Sequence, residues 1–216
     1  MKYDLVIFDL DGTILDTLED LTEAANRVLR EAGFPAHDKA EIRRFIGNGA
    51  ANMIRLAVPD GTPQSVRERL LARFREYYMA HVNVTTRPYA GIPALMRALR
   101  EAGAHIAVNS NKPDAAVKAL CAAHFGDLVE LCAGETPDVP RKPAPDAALR
   151  IMRAFGALPE KTLYVGDGDT DMLTAGNAGI DGAWVKWGYR DEEDLRGLAY
   201  IGAFESPLEM QRFLLS

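Results

Sequence analysis

The apolar positions of the chain fall into two regimes. Residues 3–8, Tyr-Asp-Leu-Val-Ile-Phe, are almost wholly apolar and rich in β-formers. Such a run predicts a strand buried on both faces, as in the middle of a parallel sheet. Residues 18–82 then show only helical periodicity. Leu18, Leu21, Ala25, Val28, Leu29 and Ala32 share a face, and Gly33 follows as the C′ residue. A second helix is predicted over Lys39–Phe45 and a third over Ala50–Ala57. A fourth is opened by Thr62 as N-cap with Pro63 in its first turn, and carries Val66, Leu70, Phe74, Tyr77 and Tyr78 on one side. From Thr85 the pattern changes to alternating helices and strands. Helices are expected over 92–102, from Lys112-Pro113 to about His124, from Pro145 to near Gly156, over 169–177 and from Pro207. Strands are expected at 105–109, 128–133, 162–166, 182–187 and 200–204. This alternation points to a parallel sheet with right-handed crossovers, an α/β core into which a helical block is inserted after the first strand.

Polar residues gather at the ends of the predicted strands, where open α/β sheets bind ligands. The first strand delivers Asp9 and Asp11, with Gly12 and Thr13 turning the chain away. The 105–109 strand delivers Ser110, Asn111 and Lys112, and the 162–166 strand delivers Asp167 with Asp169 and Asp171 behind it. The loop Pro140-Arg-Lys-Pro-Ala-Pro145 holds Lys142 among prolines. Two carboxylates at the mouth of a buried strand resist ionisation, through desolvation and like charge. At about 4 Å and an effective dielectric near 20 they repel by roughly 4 kcal/mol. The arrangement calls for a cation between them, a shared proton, or a substrate that needs both. An oxygen-rich acidic site suits Mg²⁺ completed by water and phosphate oxygens.

Composition narrows the classes. The 216 residues allow a medium α/β domain plus a smaller one, and 48% are hydrophobic. A formal charge of −6 argues against general nucleic-acid or anionic-membrane binding. Cys121 and Cys132 have no metal-type spacing and fit a reducing cytoplasm. Residues 1–10 lack a signal-peptide plan, and no run of about 20 apolar residues suggests a transmembrane helix.

The motifs resemble those of the haloacid dehalogenase (HAD) superfamily. They are Asp9-Leu-Asp11-Gly-Thr-Ile-Leu-Asp16-Thr17, Ser110, Lys142 and Gly166-Asp167-Gly-Asp-Thr-Asp171, in that order. The resemblance covers essentially the whole chain. It implies a Rossmann-like parallel-sheet core of residues 1–16 and 86–216 and an α-helical cap of residues 17–85, hinged near 16–18 and 84–89. It also implies a phosphohydrolase in which Asp9 is the nucleophile and Asp11 the general acid and base. Asp9, the Asp11 backbone carbonyl, Asp167 and Asp171 would hold Mg²⁺. Lys142 and Ser110 would bind phosphoryl oxygens. Arg44-Phe-Ile-Gly47-Asn48-Gly49, Pro88-Tyr-Ala-Gly91 and Ser110-Asn-Lys112-Pro113 are similar to phosphoglycolate phosphatases. On that basis Gly47, Asn48, Gly49 and Asn111 are candidate substrate contacts. The expected partner is a small phosphorylated metabolite rather than nucleic acid or membrane, with the chain a monomer or homodimer.

Other readings compete. Asp9 and Asp11 could simply end a strand in a polar turn. Asp167-x-Asp169-x-Asp171 mimics an EF-hand loop, but Met172 and Ala178 occupy the Gly and Glu positions. Asp169 reads as a helix N-cap, Asp16 as catalytic support or a hinge cap, and Ser110 as a helix cap compatible with phosphate binding. Lys112 reads as a surface charge, Arg43 and Arg44 as a solvated helix face. The four histidines have no partner pattern. A β-phosphoglucomutase-like phosphomutase, a pyrophosphatase, a nucleotidase or a non-catalytic phosphate-binding module are the alternatives in function.

Overall fold

The computed structural model describes residues 2–216. These divide into two compact units, residues 2–16 with Pro88–Ser216, and Thr17–Arg87. The larger unit is built on a six-stranded parallel sheet. Its strands are β1 (Leu5–Phe8), β4 (His105–Pro113), β5 (Leu131–Glu135), β6 (Thr162–Gly166), β7 (Asp181–Val185) and β8 (Ala203–Phe204). Two short strands, β2 (Leu15–Asp16) and β3 (Arg87–Pro88), flank the points where the chain leaves and re-enters this unit. The sheet order is β5-β4-β1-β6-β7-β8. Strand β1 is central because all four of its side chains, Leu5, Val6, Ile7 and Phe8, are fully buried. Each contributes about 2 kcal/mol by leaving water. Its partners are β4, with Phe8 opposite Val108, and β6, with Phe8 opposite Val165. The chain winds outward from β1 through β4 to β5, then crosses back to β6 on the other side. The reversal falls at β1, so the carboxyl ends of β1, β4 and β6 form the switch point at which this topology opens a crevice.

Helices α5 (Ile92–Glu101), α6 (Asp114–His124), α7 (Asp146–Phe155), α8 (Asp169–Ala178) and α9 (Pro207–Leu215) belong to the same unit. On one side Leu5, Ile7, Ala107 and Tyr164 pack with Ala148, Ile151 and Met152 of α7 and Ala175 of α8. The smaller unit is a bundle of α1 (Leu18–Glu31), α2 (Lys39–Phe45), α3 (Gly49–Ala57) and α4 (Gln64–Ala80). Its buried apolar residues include Leu21, Ala25, Val28, Leu29, Ile42, Met53, Ile54, Leu70, Phe74 and Tyr78, while Ala32, expected on the same face of the first helix, is exposed. Asp38 and Glu41 cap α2 reciprocally. Asn26 grips the backbone of His37 from both sides, at 2.8 Å each.

Several boundaries differ from the sequence expectation. Strand β4 runs to Pro113 rather than Asn109, and Pro113 itself is the residue before α6. Ser110 therefore lies in the strand and does not cap the helix. Residues 126–128 form a 3₁₀ turn, delaying β5 to Leu131, and β8 starts at Ala203. Helix α4 begins at Gln64, because the Thr62 hydroxyl turns back to the Pro59 carbonyl. Gly168, not Asp169, is the N-cap of α8, and Asp171 closes that turn by accepting the Gly168 N–H at 3.1 Å. Among the described residues, no helix is long and apolar enough to cross a membrane.

Candidate active site

Asp9 is the first residue beyond β1, and its N–H is still held by the Val165 carbonyl at 2.8 Å. That bond continues the ladder to β6 and fixes where the side chain emerges. Asp167 is the first residue beyond β6, and Asp171 lies one turn into α8. All three are buried, and one carboxylate oxygen from each lies within 4.8 Å of the others. Lys142 enters this cluster from the β5–α7 loop. Its ammonium donates to Asp9 Oδ1 and to Asp171 Oδ1, both at 2.7 Å. The side chain of Lys142 is 3% exposed, and the amide of Asn111 holds its backbone. Lys142 N–H donates to Asn111 Oδ1 at 2.9 Å, and Asn111 Nδ2 donates to the Lys142 carbonyl at 3.1 Å. Asn111 thus anchors the lysine loop.

Asp11 stands apart from the triad. Its Oδ1 accepts from the Lys112 ammonium at 2.6 Å. Lys112 is not the surface charge that its sequence suggested: its side chain is 3% exposed. The extension of β4 carries it to the sheet edge. Ser110 Oγ accepts the Lys112 N–H at 3.3 Å, leaving a hydroxyl proton to donate elsewhere. Asp167 is held by the loop after β7, where the Tyr189 N–H donates to its Oδ2 at 2.6 Å. The indole of Trp184 donates to the Asp167 carbonyl at 3.0 Å. Sequence reasoning missed these contributions, because 182–187 read as a buried strand and 188–190 carried no motif. Gly47, Asn48 and Gly49 lie in the helical unit at the start of α3, with both glycines at positive φ. Asp169 is 3.9 Å from Arg190. Asp16 ends β2 and is exposed.

The electrostatics follow from three buried carboxylates and one ammonium, which bonds two of them. Burial, then the charges of Asp171, Asp167 and Asp11, push Asp9 well above the carboxylate range, against the pull of Lys142. Burial and the charge of Asp171 push Asp167 up to about 7. Burial alone would lower Lys142, but Asp171 and Asp9 more than offset it and hold it firmly protonated. The cluster therefore carries an excess of negative charge that one lysine leaves uncompensated. Hard oxygen donors from three residues, all within 4.8 Å of one another, fit a divalent cation of the Mg²⁺ or Ca²⁺ type.

A doubly wound sheet with a buried carboxylate at the end of its central strand, faced by a lysine and by further carboxylates, is the framework of an α/β hydrolase. A family model described as haloacid dehalogenase-like hydrolase matches residues 6–185. The chain belongs to that family. A phosphoglycolate phosphatase of Cereibacter sphaeroides is 40% identical over 215 residues, covering 97% of this chain and 96% of the relative. One of Aquifex aeolicus is 32% identical over 186 residues, covering 86% and 85%. A crystal structure from Lactobacillus delbrueckii subsp. bulgaricus, 31% identical, superposes with a TM-score of 0.93 over 99% of each chain.

Proposed function

We propose that the chain hydrolyses a small phosphomonoester, 2-phosphoglycolate, through a phosphorylated Asp9. The observation that carries this reading is the gathering of Asp9, Asp167 and Asp171 at the switch point of the sheet, with the Lys142 ammonium bound to Asp9 and Asp171. The phosphoglycolate phosphatase names of the C. sphaeroides and A. aeolicus relatives support the choice of substrate.

Asp9 attacks phosphorus, forming an acyl phosphate as the ester oxygen leaves. Asp11 gives that oxygen a proton, then takes one from the water that cleaves the acyl phosphate. Its salt bridge to Lys112 fixes the carboxyl for both transfers. Lys142 favours the ionised form of Asp9 against burial and the neighbouring carboxylates, and presents positive charge to the phosphoryl oxygens. Ser110 donates its hydroxyl proton to one of those oxygens. Asp9, Asp167, the Asp11 carbonyl and Asp171 hold the cation, which when bound offsets the remaining charge on the carboxylates and the phosphoryl group. Gly47, Asn48 and Gly49 are assigned to substrate recognition by their resemblance to the phosphoglycolate phosphatase motif. Acting on a small soluble ester, the enzyme would work in the cytoplasm.

Phosphate release over a panel of small phosphoesters tests the reading, with Mg²⁺, with EDTA, and with added sugar bisphosphate. Release from 2-phosphoglycolate should exceed the rest of the panel and stop in EDTA. The Asp9→Asn variant should fall by at least ~10³-fold, as expected when a nucleophile is removed. Parental turnover by that variant would refute the mechanism, and activation only by a sugar bisphosphate would make the protein a mutase.

A further inference from the structure

The segment between β7 and the 190s has no role in the chemistry above, yet it is built against a single carboxylate. The Trp187 indole N–H donates to the Thr13 carbonyl at 2.9 Å, tying this loop to the turn after β1. The Thr13 hydroxyl in turn lies 3.4 Å from Asp167 Oδ1. The Tyr189 N–H holds the other carboxylate oxygen. Between the two anchors is Gly188. A Cβ on Gly188 would stand 2.2 Å from Asp167 Cβ, 2.5 Å from Asp167 Oδ2 and 2.5 Å from the Gly12 carbonyl. Gly12, at φ +82°, brings its backbone equally close: a Cβ there would lie 2.4 Å from Asp167 Oδ2. The carboxylate is therefore packed against two stretches of bare backbone that meet at its Oδ2.

We propose that Trp187, Gly188 and Tyr189 form a positioning clamp that fixes the Asp167 carboxylate for the divalent cation. This rests on the reading of Asp9, Asp167 and Asp171 as the cation site. None of the three residues touches the reacting atoms. They act through Asp167, in the way that hydrogen-bonded neighbours orient metal-binding carboxylates elsewhere. Both oxygens of Asp167 have a donor facing them, and the backbone packed against the carboxylate removes rotational freedom that the ion would otherwise have to freeze out. Gly188 is required for its lack of a side chain, since even one carbon would displace either Asp167 or the Gly12 turn.

The test is calorimetric titration of Mg²⁺ into the full chain freed of metal by EDTA and dialysis, with the metal-free melting temperature measured alongside. Gly188→Ala should bind Mg²⁺ about 10- to 100-fold more weakly than the parent. Trp187→Phe, which keeps the ring but loses the N–H, should bind about fivefold more weakly with an unchanged metal-free melting temperature. Parental Mg²⁺ affinity in folded Gly188→Ala would overturn the clamp, even if its metal-free melting temperature had dropped. If Gly188→Ala does not fold, Trp187→Phe decides, and parental affinity in that variant overturns the proposal. Asp167→Asn separates the two levels of argument. If that variant binds Mg²⁺ as the parent does, or the parent binds none, the cation site itself is misassigned and the clamp falls with it.

Discussion

Lys112 illustrates how far a single residue can depart from its sequence appearance. A lysine beside a proline, after a short apolar run, ordinarily points to solvent. Here four more residues, 110–113, join β4, and the ammonium is buried against Asp11 instead. Burying a charge is costly unless it is paired, so this contact holds both partners in place. Lys112→Met keeps most of the stem and removes the partner. Since displacing a catalytic group by about 1 Å costs as much as ~10²-fold in rate, kcat for phosphate release should fall by about 10- to 100-fold. KM should change less, because Asp11 acts on the leaving oxygen. An unchanged kcat would remove Asp11 positioning from the mechanism. The carboxylates and Lys142 were legible from order and spacing, since few other chemistries need acids at successive strand ends. Their supporting residues were not. Asn111 acts on the Lys142 backbone and Tyr189 through its own N–H, and neither role leaves a trace in residue type.

At the scale of elements, periodicity located the helices and the buried strands well. It failed where ends are decided by non-local pairing. Strand β4 continues past Asn109 because Pro113 still pairs with Glu135, across an irregularity in register that no local signal marks. In the helical unit the decisive feature is Asp20, in the first turn of α1. Its buried carboxylate accepts from the N–H groups of Val84, Thr85 and Thr86 and from both threonine hydroxyls. Although burial works the other way, those threonine hydrogen bonds lower its pKa. The folded carboxylate thus holds its proton less tightly than the unfolded one, and its contribution is present above the ordinary value near 3.8 and is lost on acidification below it. Asp20→Asn turns an amide donor toward a row of donors. Urea denaturation at pH 7 should show the helical unit destabilised by about 2 kcal/mol, with the difference shrinking toward pH 3. Equal midpoints at pH 7 would mean that the segment 84–86 is held by something else.

For the whole molecule, the acidic cluster couples stability to metal. Asp9 and Asp167 have folded pKa values above those of the unfolded chain, Asp167 up to about 7. Folded protein therefore retains protons that unfolded protein releases, and metal-free stability falls as pH rises from about 4 through 7. Lys142, raised above 10.5, is charged in both states throughout that window and adds no slope. Melting temperatures of EDTA-treated protein should thus be higher at pH 6 than at pH 8. Saturating Mg²⁺ should raise them more at pH 8, where the ion displaces less proton from Asp167. A metal-induced shift that is equal at both pH values would argue against an excess of buried charge.

The position of β1 has a consequence for biosynthesis. The strand that precedes Asp9 is made well before its neighbours His105–Val108 and Thr162–Val165. An apolar ribbon must therefore wait for its first flank until residue 108 is made, and for its second until residue 165. The inserted helical bundle, contiguous over Thr17–Arg87, can meanwhile become compact. Nascent chains stalled before residue 100 should accordingly contain an ordered bundle beside an unpaired hydrophobic strand, and would be natural clients for a chaperone.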